Sequence, residues 1–353
     1  MKRMRIQDIR RTIVVVGLVA ISSCRGGCGR GVGGGDPALT VQGRLAPFPA
    51  AARVVVGVDV RQLRASPSAA RIQQLAIESQ ADKNTLAEFQ RRTGFDPIKQ
   101  ITGLTVAFPE DARGSGDFGL VLRADRFDET RLIAYVRDEL QKKDDDLVAT
   151  KRGRVTLWSS KRDPALVGFF ADDRTFALGA GGWGARMADL VDQTSPADSA
   201  ATNLELVRLV ERAAGTHAIW GTAIVPAETR KNLAAQPGLA DAATIGTLSA
   251  SIDFGKGLEA MLIADVATAD AARSLATKVT ESLRDAKRNP QVLMLGLGPY
   301  LGGVSARAAD KTFEVRATLG PEAVDDLVTR LSAMVSLARA GTAPGFAPPT
   351  PRP

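Results

Sequence analysis

The chain has 353 residues, of which 44% are hydrophobic and 24% are charged, a composition that supports a globular body with a substantial core. The formal net charge is +7, but the residues before position 24 carry +4 of it, so the remainder is nearly neutral. This balance, without a basic stripe interleaved with aromatic residues, argues against nucleic acid as a partner. The two cysteines lie at positions 24 and 28, so we expect no disulfide framework in the body.

The leader has the layout of a secretory signal. Five basic residues are followed by an apolar stretch over residues 12–22, which is too short to cross a membrane because a spanning helix needs about 20 apolar residues. The stretch ends in Ile21-Ser22-Ser23-Cys24. This ending resembles the lipobox of bacterial lipoproteins, in which an aliphatic residue and two small residues precede a cysteine.

The resemblance implies that residues 1–23 are removed and that Cys24 is acylated, so that lipid holds the protein on a membrane facing the periplasm. Two or more acyl chains anchor a protein stably, whereas a single chain does not. Arg25 stands where inner-membrane lipoproteins often have Asp, which favours the outer membrane. Two alternatives stay open: an ordinary signal peptide that contains a cysteine by chance, and a twin-arginine export signal at Arg10-Arg11.

Two further segments should lack regular structure. Residues 24–44 are dominated by glycine and predict a flexible tether. Residues 341–353 are rich in proline and predict an extended or disordered tail.

The ordered body divides into two similar stretches, 45–200 and 205–338. The segment ADDRTFALGAGGWGARMADLV from Ala171 aligns without a gap with AADKTFEVRATLGPEAVDDLV from Ala308. Further upstream, LVLRAD matches AMLIAD and GLTVAF matches TLSASI, in the same order and at an offset of roughly 140 residues. These collinear matches predict an internal duplication.

Helical spacing predicts helices at 128–140 and 186–193, with Asp128 as the N-cap of the first, and a joining helix at 204–213. The second half repeats strand, strand, helix, strand, helix between residues 216 and 335. Hairpins interrupted by single helices predict an α+β fold, in which two similar halves of antiparallel sheet are covered by helices. Apolar alternation and β-branched residues predict first-half strands at 54–60, 101–108, 118–124, 155–159, 166–170 and 174–178.

The segment GAGGWG at 179–184 has the G-x-G-x-x-G spacing of a dinucleotide-binding loop. Such a site also needs an acidic residue at the end of a second strand, and the residues after the predicted helix read as a loop. We therefore interpret these glycines as a close strand-to-helix turn and expect no cofactor.

The remaining candidates for chemistry are few. His217 is the single histidine, and one imidazole cannot build a His-rich zinc site, so we interpret it as structural. The run at 144–146, three aspartates, lacks the spacing of a calcium loop and reads as a solvated turn. We interpret Trp158, Trp183 and Trp220 as core or loop anchors. We predict no catalytic residue and no metal ligand.

The strand VVVGVDV, followed by a helix after Ser66-Pro67, is similar in layout to uncharacterised predicted lipoproteins of Gram-negative envelopes, a resemblance that implies no known activity. The sequence favours a membrane-anchored, non-enzymatic protein that binds a small ligand or an envelope partner. The alternatives are a hydrolase with a carboxylate or serine site and a purely structural envelope component.

Clefts between packed units are frequent ligand sites, so we expect any ligand at the seam between the halves. Gly182 and Trp183 are the residues that we expect there. The segments 195–203 and 316–321 should lie near the same seam.

Overall fold

The computed structural model describes residues 40–66, 83–110, 116–192, 197–215, 217–236, 240–294 and 296–339, without the side chains of 83, 84 and 331–339. Cys24, most of the expected tether, the proline-rich tail and the start of the helix expected after Pro67 lie outside the described residues.

One sheet of twelve strands, paired antiparallel throughout, forms the centre of the described chain. Its order from edge to edge is β11-β12-β10-β9-β8-β1-β2-β3-β7-β6-β5-β4. The structure therefore confirms the predicted α+β class, in which helices cover antiparallel sheet. The strands are β1 Ala52–Asp59, β2 Ile101–Pro109, β3 Phe118–Ala124, β4 Leu147–Arg152, β5 Val155–Ser160, β6 Leu166–Asp172, β7 Thr175–Ala180, β8 Ile219–Ile224, β9 Ile245–Asp253, β10 Leu258–Val266, β11 Val304–Ala309 and β12 Thr312–Leu319.

The two predicted halves do not form separate sheets. Strand β1 pairs with β8 from Val54 opposite Ala223 to Val58 opposite Ile219, so the sheet runs through the expected boundary without a break. The halves are joined edge to edge by backbone hydrogen bonds.

Helices lie on both faces of the sheet. They are α1 Val41–Leu45, α2 Val60–Ala65, α3 Lys83–Thr93, α4 Pro97–Gln100, α5 Glu129–Gln141, α6 Trp183–Asp192, α7 Leu204–Ala214, α8 Ala227–Ala234, α9 Ala269–Arg288, α10 Pro290–Met294 and α11 Pro321–Arg339. Within the residues that the structure describes, no helix is both long enough and apolar enough to span a membrane.

Side-chain alternation along the strands separates two cores. Helices α1, α6 and α7 pack on one face, here called the first face, around Phe48, Val55 and Trp220. Helices α3 and α5 pack on the second face around Phe95, Ile101 and Phe127. Helix α9 covers the other end of the second face over β9, β10, β11 and β12.

Several predicted elements are present with small changes of bounds. Helix α5 begins after Asp128, whose side chain accepts a hydrogen bond from the Arg131 amide as an N-cap does. Helices α6 and α7 occupy the two other stretches predicted as helical. The end of the expected tether differs, because Thr40 caps α1 and Leu45 is fully buried against the first face.

Strand β4 was missed by the sequence analysis. Its residues are half-buried or exposed along their whole length, so the strand lacks the apolar alternation by which strands are detected. It is held by pairing with β5 and by Arg152, whose guanidinium donates to both carboxylate oxygens of Asp189 on α6 at 2.5 and 2.7 Å.

Candidate ligand-binding site

A cleft of about 900 Å³ opens on the first face. It lies at the end of β1, the start of β2, the end of β3 and the β6–β7 turn. Helix α1 borders one side and α2 borders another. Its lining contains four arginines and four aspartates together with threonines and apolar residues. These are Arg44, Val58, Asp59, Arg61, Gln62, Ala65, Thr102, Gly103, Leu104, Thr105, Val121, Arg123, Ala124, Asp125, Asp172, Asp173, Arg174, Thr175 and Trp220.

Local sequence places α2 at the rim of this cleft. Strand β1 runs directly into α2, and the Asp59 carboxylate accepts a hydrogen bond from the Gln62 amide at 3.0 Å as the N-cap. Val60 is fully buried on the second face. Burial of Val60 turns Arg61 and Gln62 toward the cleft.

The inner end of the cleft is built from Trp220, Arg44 and Arg123. Trp220 on β8 is 2% exposed, and the guanidinium carbon of Arg44 lies 5.6 Å from the centre of its ring, within the range of a cation–π contact. Arg123 on β3 donates from Nη2 to the carbonyl oxygen of Gly43 at 3.1 Å. Because Gly43 and Arg44 are neighbours in α1, this bond fixes the helix against the sheet.

Burial has the largest effect on the pKa of the Arg44 guanidinium. It lowers the pKa of Arg44, while the charge of the nearby Asp59 carboxylate raises it. Arginine keeps its proton even when buried, so the inner end carries fixed positive charge.

The outer rim is more exposed and contains charge pairs. Arg61 lies 3.5 Å from Asp125, and Arg126, just outside the lining, lies 3.8 Å from Asp173. All four side chains of these pairs are more than half exposed, so solvent screening leaves each pair little net stabilisation.

The described lining offers guanidinium, carboxylate, hydroxyl and indole groups, and no histidine, cysteine or serine. Guanidinium groups hold carboxylates and phosphates through paired N–H donors. Elsewhere in the described residues, no group of three or more histidine, cysteine, aspartate or glutamate side chains could hold a metal ion. A second and more open depression of about 470 Å³ lies between α9 and β11.

The residues that the sequence analysis placed at a seam lie apart from this cleft. Trp183 is 2% exposed and packs in the first-face core, as its interpretation as an anchor predicted. Gly182 is exposed, and a Cβ added there would meet nothing within 4 Å.

The expected loops are not brought together. Residues 179–184 run from the end of β7 into α6, and residues 316–321 run from β12 into α11. In the sheet, β7 and β12 are separated by β3, β2, β1, β8, β9 and β10. Of the segment 195–203, the described part lies against α1, where the Ser199 hydroxyl donates to the Ala46 carbonyl at 3.0 Å.

The glycine motif has a packing role. A Cβ on Gly179 would lie 2.4 Å from the Gly184 amide nitrogen, so β7 and the start of α6 approach more closely than a side chain allows. Other candidates lie outside the cleft. Asp145 accepts hydrogen bonds from Ser160 and the Arg162 amide in a turn, and His217 is half-buried at the entrance to β8.

Sequence reasoning missed the arginines of the cleft. Arg123 alternates onto the same face as Val121, which is 2% exposed, so strand alternation placed it on a covered face. Arg44 lay in the stretch expected to be a tether, and nothing in the sequence linked it to Arg123.

No family model matches the chain, and no curated protein matches it. Among solved structures, crystal form I of TP0453 matches with 14% sequence identity and a TM-score of 0.40, covering 82% of this chain and 96% of that chain.

Proposed function

We propose that the chain is a lipid-anchored protein of the bacterial cell envelope whose folded body binds a small ligand without transforming it. The observation that carries the binding role is the cleft of about 900 Å³, whose described lining combines guanidinium groups with an indole and lacks histidine, cysteine and serine. The leader ending in Cys24 supports export and acylation. Arg25 supports a final place on the outer membrane, facing the periplasm.

Anchoring is tested at the two cysteines. Cys24→Ala should abolish incorporation of labelled palmitate and move the protein from the membrane fraction to the soluble fraction. Cys28→Ala is the matched control and should remain labelled and membrane-bound. Absence of label from the wild type, or label that persists in Cys24→Ala, would refute the anchoring proposal.

Ligand binding is tested by filling the cleft. Gly103 lines it, and a Cβ there would lie 3.4 Å from the Val58 carbonyl oxygen, an ordinary contact. Gly103→Leu should therefore fold while occupying the ligand's space. Gly246→Leu is the control on β9, because a Cβ there would lie 3.8 Å from the Asp265 carbonyl oxygen and outside the cleft.

Native mass spectrometry of protein isolated from envelopes provides the measurement. Wild type and Gly246→Leu should carry the same bound mass, and Gly103→Leu should not. Retention of that mass by Gly103→Leu, or its absence from all three, counts against a ligand in the cleft. Conversion of the bound compound to a product would favour the hydrolase alternative.

We further infer that the body arose by internal duplication. The strand order β1-β2-β3-β7-β6 in the first half has its counterpart in β8-β9-β10-β12-β11 in the second. In each series a helix, α5 or α9, connects the third strand to the hairpin that follows, with β4 and β5 as an additional hairpin in the first half. The junction of β1 with β8 is antiparallel, as a two-fold relation between the halves requires.

Irregular backbone features support the same relation. Ala124, the last residue of β3, and Asp125 donate to the carbonyls of Arg174 and Gln100. In the second half, Val266, the last residue of β10, and Ala267 donate to those of Lys311 and Thr244. Strand β2 has an extra residue, Thr102, in its pairing with β3, and β9 has an extra residue, Gly246, in its pairing with β10. Corresponding bulges at corresponding places are expected of two copies of one backbone.

The correspondence between the halves that these hydrogen bonds and bulges give differs from the sequence alignment at one place. It relates Ala124 to Val266, whereas the matched strings LVLRAD and AMLIAD relate Ala124 to Ala264. The match of Thr175-Phe176 with Thr312-Phe313 agrees with the pairing of β7 with β3 and of β12 with β10.

A further inference from the structure

We propose that the outer edge of β11 binds an extended, acidic segment of another protein, which pairs with β11 as an added strand beside α9. This surface belongs to the second half of the chain and lies apart from the cleft, so the inference does not depend on a ligand in the cleft.

The backbone of β11 has one side available for pairing. Among the strands of the described residues, β11 is an edge strand and pairs with β12 alone. Its hairpin closes through a two-residue turn, with Ala309 opposite Thr312. Residues that flank such a turn bond to each other, and antiparallel pairs then alternate between bonded and non-bonded positions. Ala306 and Ala308 therefore direct their N–H and C=O groups outward, where a further strand can bind them.

Strand β11 lacks the usual protection of an edge. Proteins protect edge strands with proline, lysine or a bulge. β11 contains neither proline nor lysine and pairs with β12 without a bulge. Its one charged residue, Arg307, pairs with Glu314 on β12 at 2.7 Å. The strand at the opposite edge, β4, ends in Lys151 and Arg152, so β11 is the less protected of the two edges.

A groove runs beside this edge. It is the open depression of about 470 Å³ between α9 and β11. The polar residues that α9 contributes recur at spacings that place them on one side of the helix. They are Arg273, Thr277, Thr280, Glu281 and Arg284. At a rise of 1.5 Å per residue this row spans about 16 Å, the length of about five residues in a strand.

The first half fills the corresponding place with a strand of its own. In the correspondence inferred above, β11 is related to β6, and α9 to α5. The edge of β6 pairs with β5, where Trp158 lies opposite Gly168, and Trp158 Nε1 donates to the Glu129 carboxylate on α5 at 3.4 Å. Between α9 and β11, the described residues form α10 and the short 3₁₀ helix Gly298–Gly303, and no strand. This difference supports a strand as the occupant of the groove.

The charge of the groove selects the kind of strand. Its lining has Arg273, Arg284 and Arg307 against the single acid Glu281. Arg284 forms no ion pair within the part of the chain that the structure describes. Alternate side chains of an added strand face α9, so acidic residues at these positions meet a basic row.

The same charges disfavour a second copy of this chain as the occupant. Pairing of β11 with β11 would bring Arg273 and Arg284 of two α9 helices together. Pairing of β11 with β4 would bring Lys151 and Arg152 to the basic groove. Like charges facing each other across a strand pair are destabilising, so a segment of another protein is the better occupant.

The test uses the full chain and a nine-residue, fluorescein-labelled peptide of alternating glutamate and valine, with affinity measured by fluorescence anisotropy. One control peptide has lysine in place of glutamate. A second is methylated on every other backbone nitrogen, in both possible registers, so that it cannot donate to the edge. The lysine peptide and the methylated peptides should each bind about tenfold more weakly than the acidic peptide.

Proline on the edge strand tests the site directly. Ala306→Pro removes an outward N–H that β12 does not use, and it should weaken binding of the acidic peptide by about tenfold. Ala149→Pro is the matched control, because Ala149 also lies three residues before a two-residue turn and on the outer side of an edge strand. It should leave the affinity within about twofold.

Charge reversal on α9 keeps the inference testable if Ala306→Pro does not fold. Arg284→Glu should weaken binding of the acidic peptide by about threefold or more and improve binding of the lysine peptide. Arg137→Glu, at an exposed position of α5, makes the same change of net charge away from the groove and should change neither affinity by more than about twofold.

Three results would overturn the inference. The first is failure of the acidic peptide to bind the wild type, or binding to Ala306→Pro that is as tight as to the wild type. The second is equal binding of the acidic and lysine peptides, which would exclude selection by charge. The third is self-association of the wild type that Ala306→Pro abolishes in sedimentation velocity, because the edge would then bind a second copy of the chain.

Discussion

Trp220 on β8 lies directly over Gly57 on β1, at the junction of the two halves. A Cβ on Gly57 would come within 2.2 Å of two ring carbons of Trp220. The indole is 2% exposed and packs among first-face residues, so it cannot move away without opening the core. The size of one side chain thus requires glycine on the opposite strand.

We expect Gly57→Ala to lower the free energy of unfolding by about 1–3 kcal/mol through overpacking, measured by urea denaturation. Gly221→Ala, on the other strand of the same pair, is the control. A Cβ there would lie 3.6 Å from the Val56 side chain, and the stability should change by less than about 0.5 kcal/mol. In a Trp220→Phe background, Gly57→Ala should cost less. An equal cost in both backgrounds would show that the indole is not the cause.

The ion pair between Arg212 and Asp265 should make the stability of the protein depend on pH. The hydrogen bonds from Arg212 lower the pKa of the Asp265 carboxyl. Burial raises this pKa, and the hydrogen bond from the Thr247 hydroxyl lowers it further. A folded-state pKa below the unfolded value of about 3.8 contributes stability above that pH, and the contribution is lost as the pH falls through the folded pKa.

The Asp265 side chain is 40% exposed, so solvent screening limits the gain, and we expect Asp265→Asn to cost about 1 kcal/mol at pH 7. The difference from wild type should shrink below about pH 4, as both unfolding curves are followed from pH 7 to pH 2.5. A difference that stays constant over this range would mean that the carboxylate charge does not contribute.

The glycines at 179–184 should differ sharply in their tolerance of a side chain. Gly179→Ala would place Cβ 2.4 Å from the Gly184 nitrogen and should cost about 1–3 kcal/mol or more. Gly182→Ala meets nothing within 4 Å and should change stability by less than about 0.5 kcal/mol. Thermal unfolding compares the two variants. A costly Gly182→Ala with a neutral Gly179→Ala would contradict a packing role for the motif.

Periodicity and capping predicted most of the first half because most of its elements carry their own signal in the sequence. Asp128 and the apolar spacing after it were sufficient for α5, whereas β4 has no apolar face to detect. The cleft depends on spatial relations between distant residues. Arg44, Asp59 and Arg123 lie on a helix and two strands that meet only through the strand order, and sequence spacing alone does not specify that order.

The matching bulges of β2 and β9 allow a direct test of the relation between the halves. Thr102 is the extra residue of one bulge and Gly246 that of the other, and a Cβ on Gly246 would have its nearest contact at 3.8 Å. If the two backbones are copies of one another, each site should accept the other's residue. Thr102→Gly should cost about 0.5–1 kcal/mol, because glycine loses more conformational entropy on folding. Gly246→Thr should be neutral or stabilising by a similar amount, because a β-branched residue favours extended backbone.

Urea denaturation of both single variants and of the double exchange measures these changes, and the two effects should add because the sites belong to different halves. A loss of more than about 2 kcal/mol in Gly246→Thr would mean that the second bulge requires glycine for a reason that the first does not share, and the two bulges would then not be equivalent.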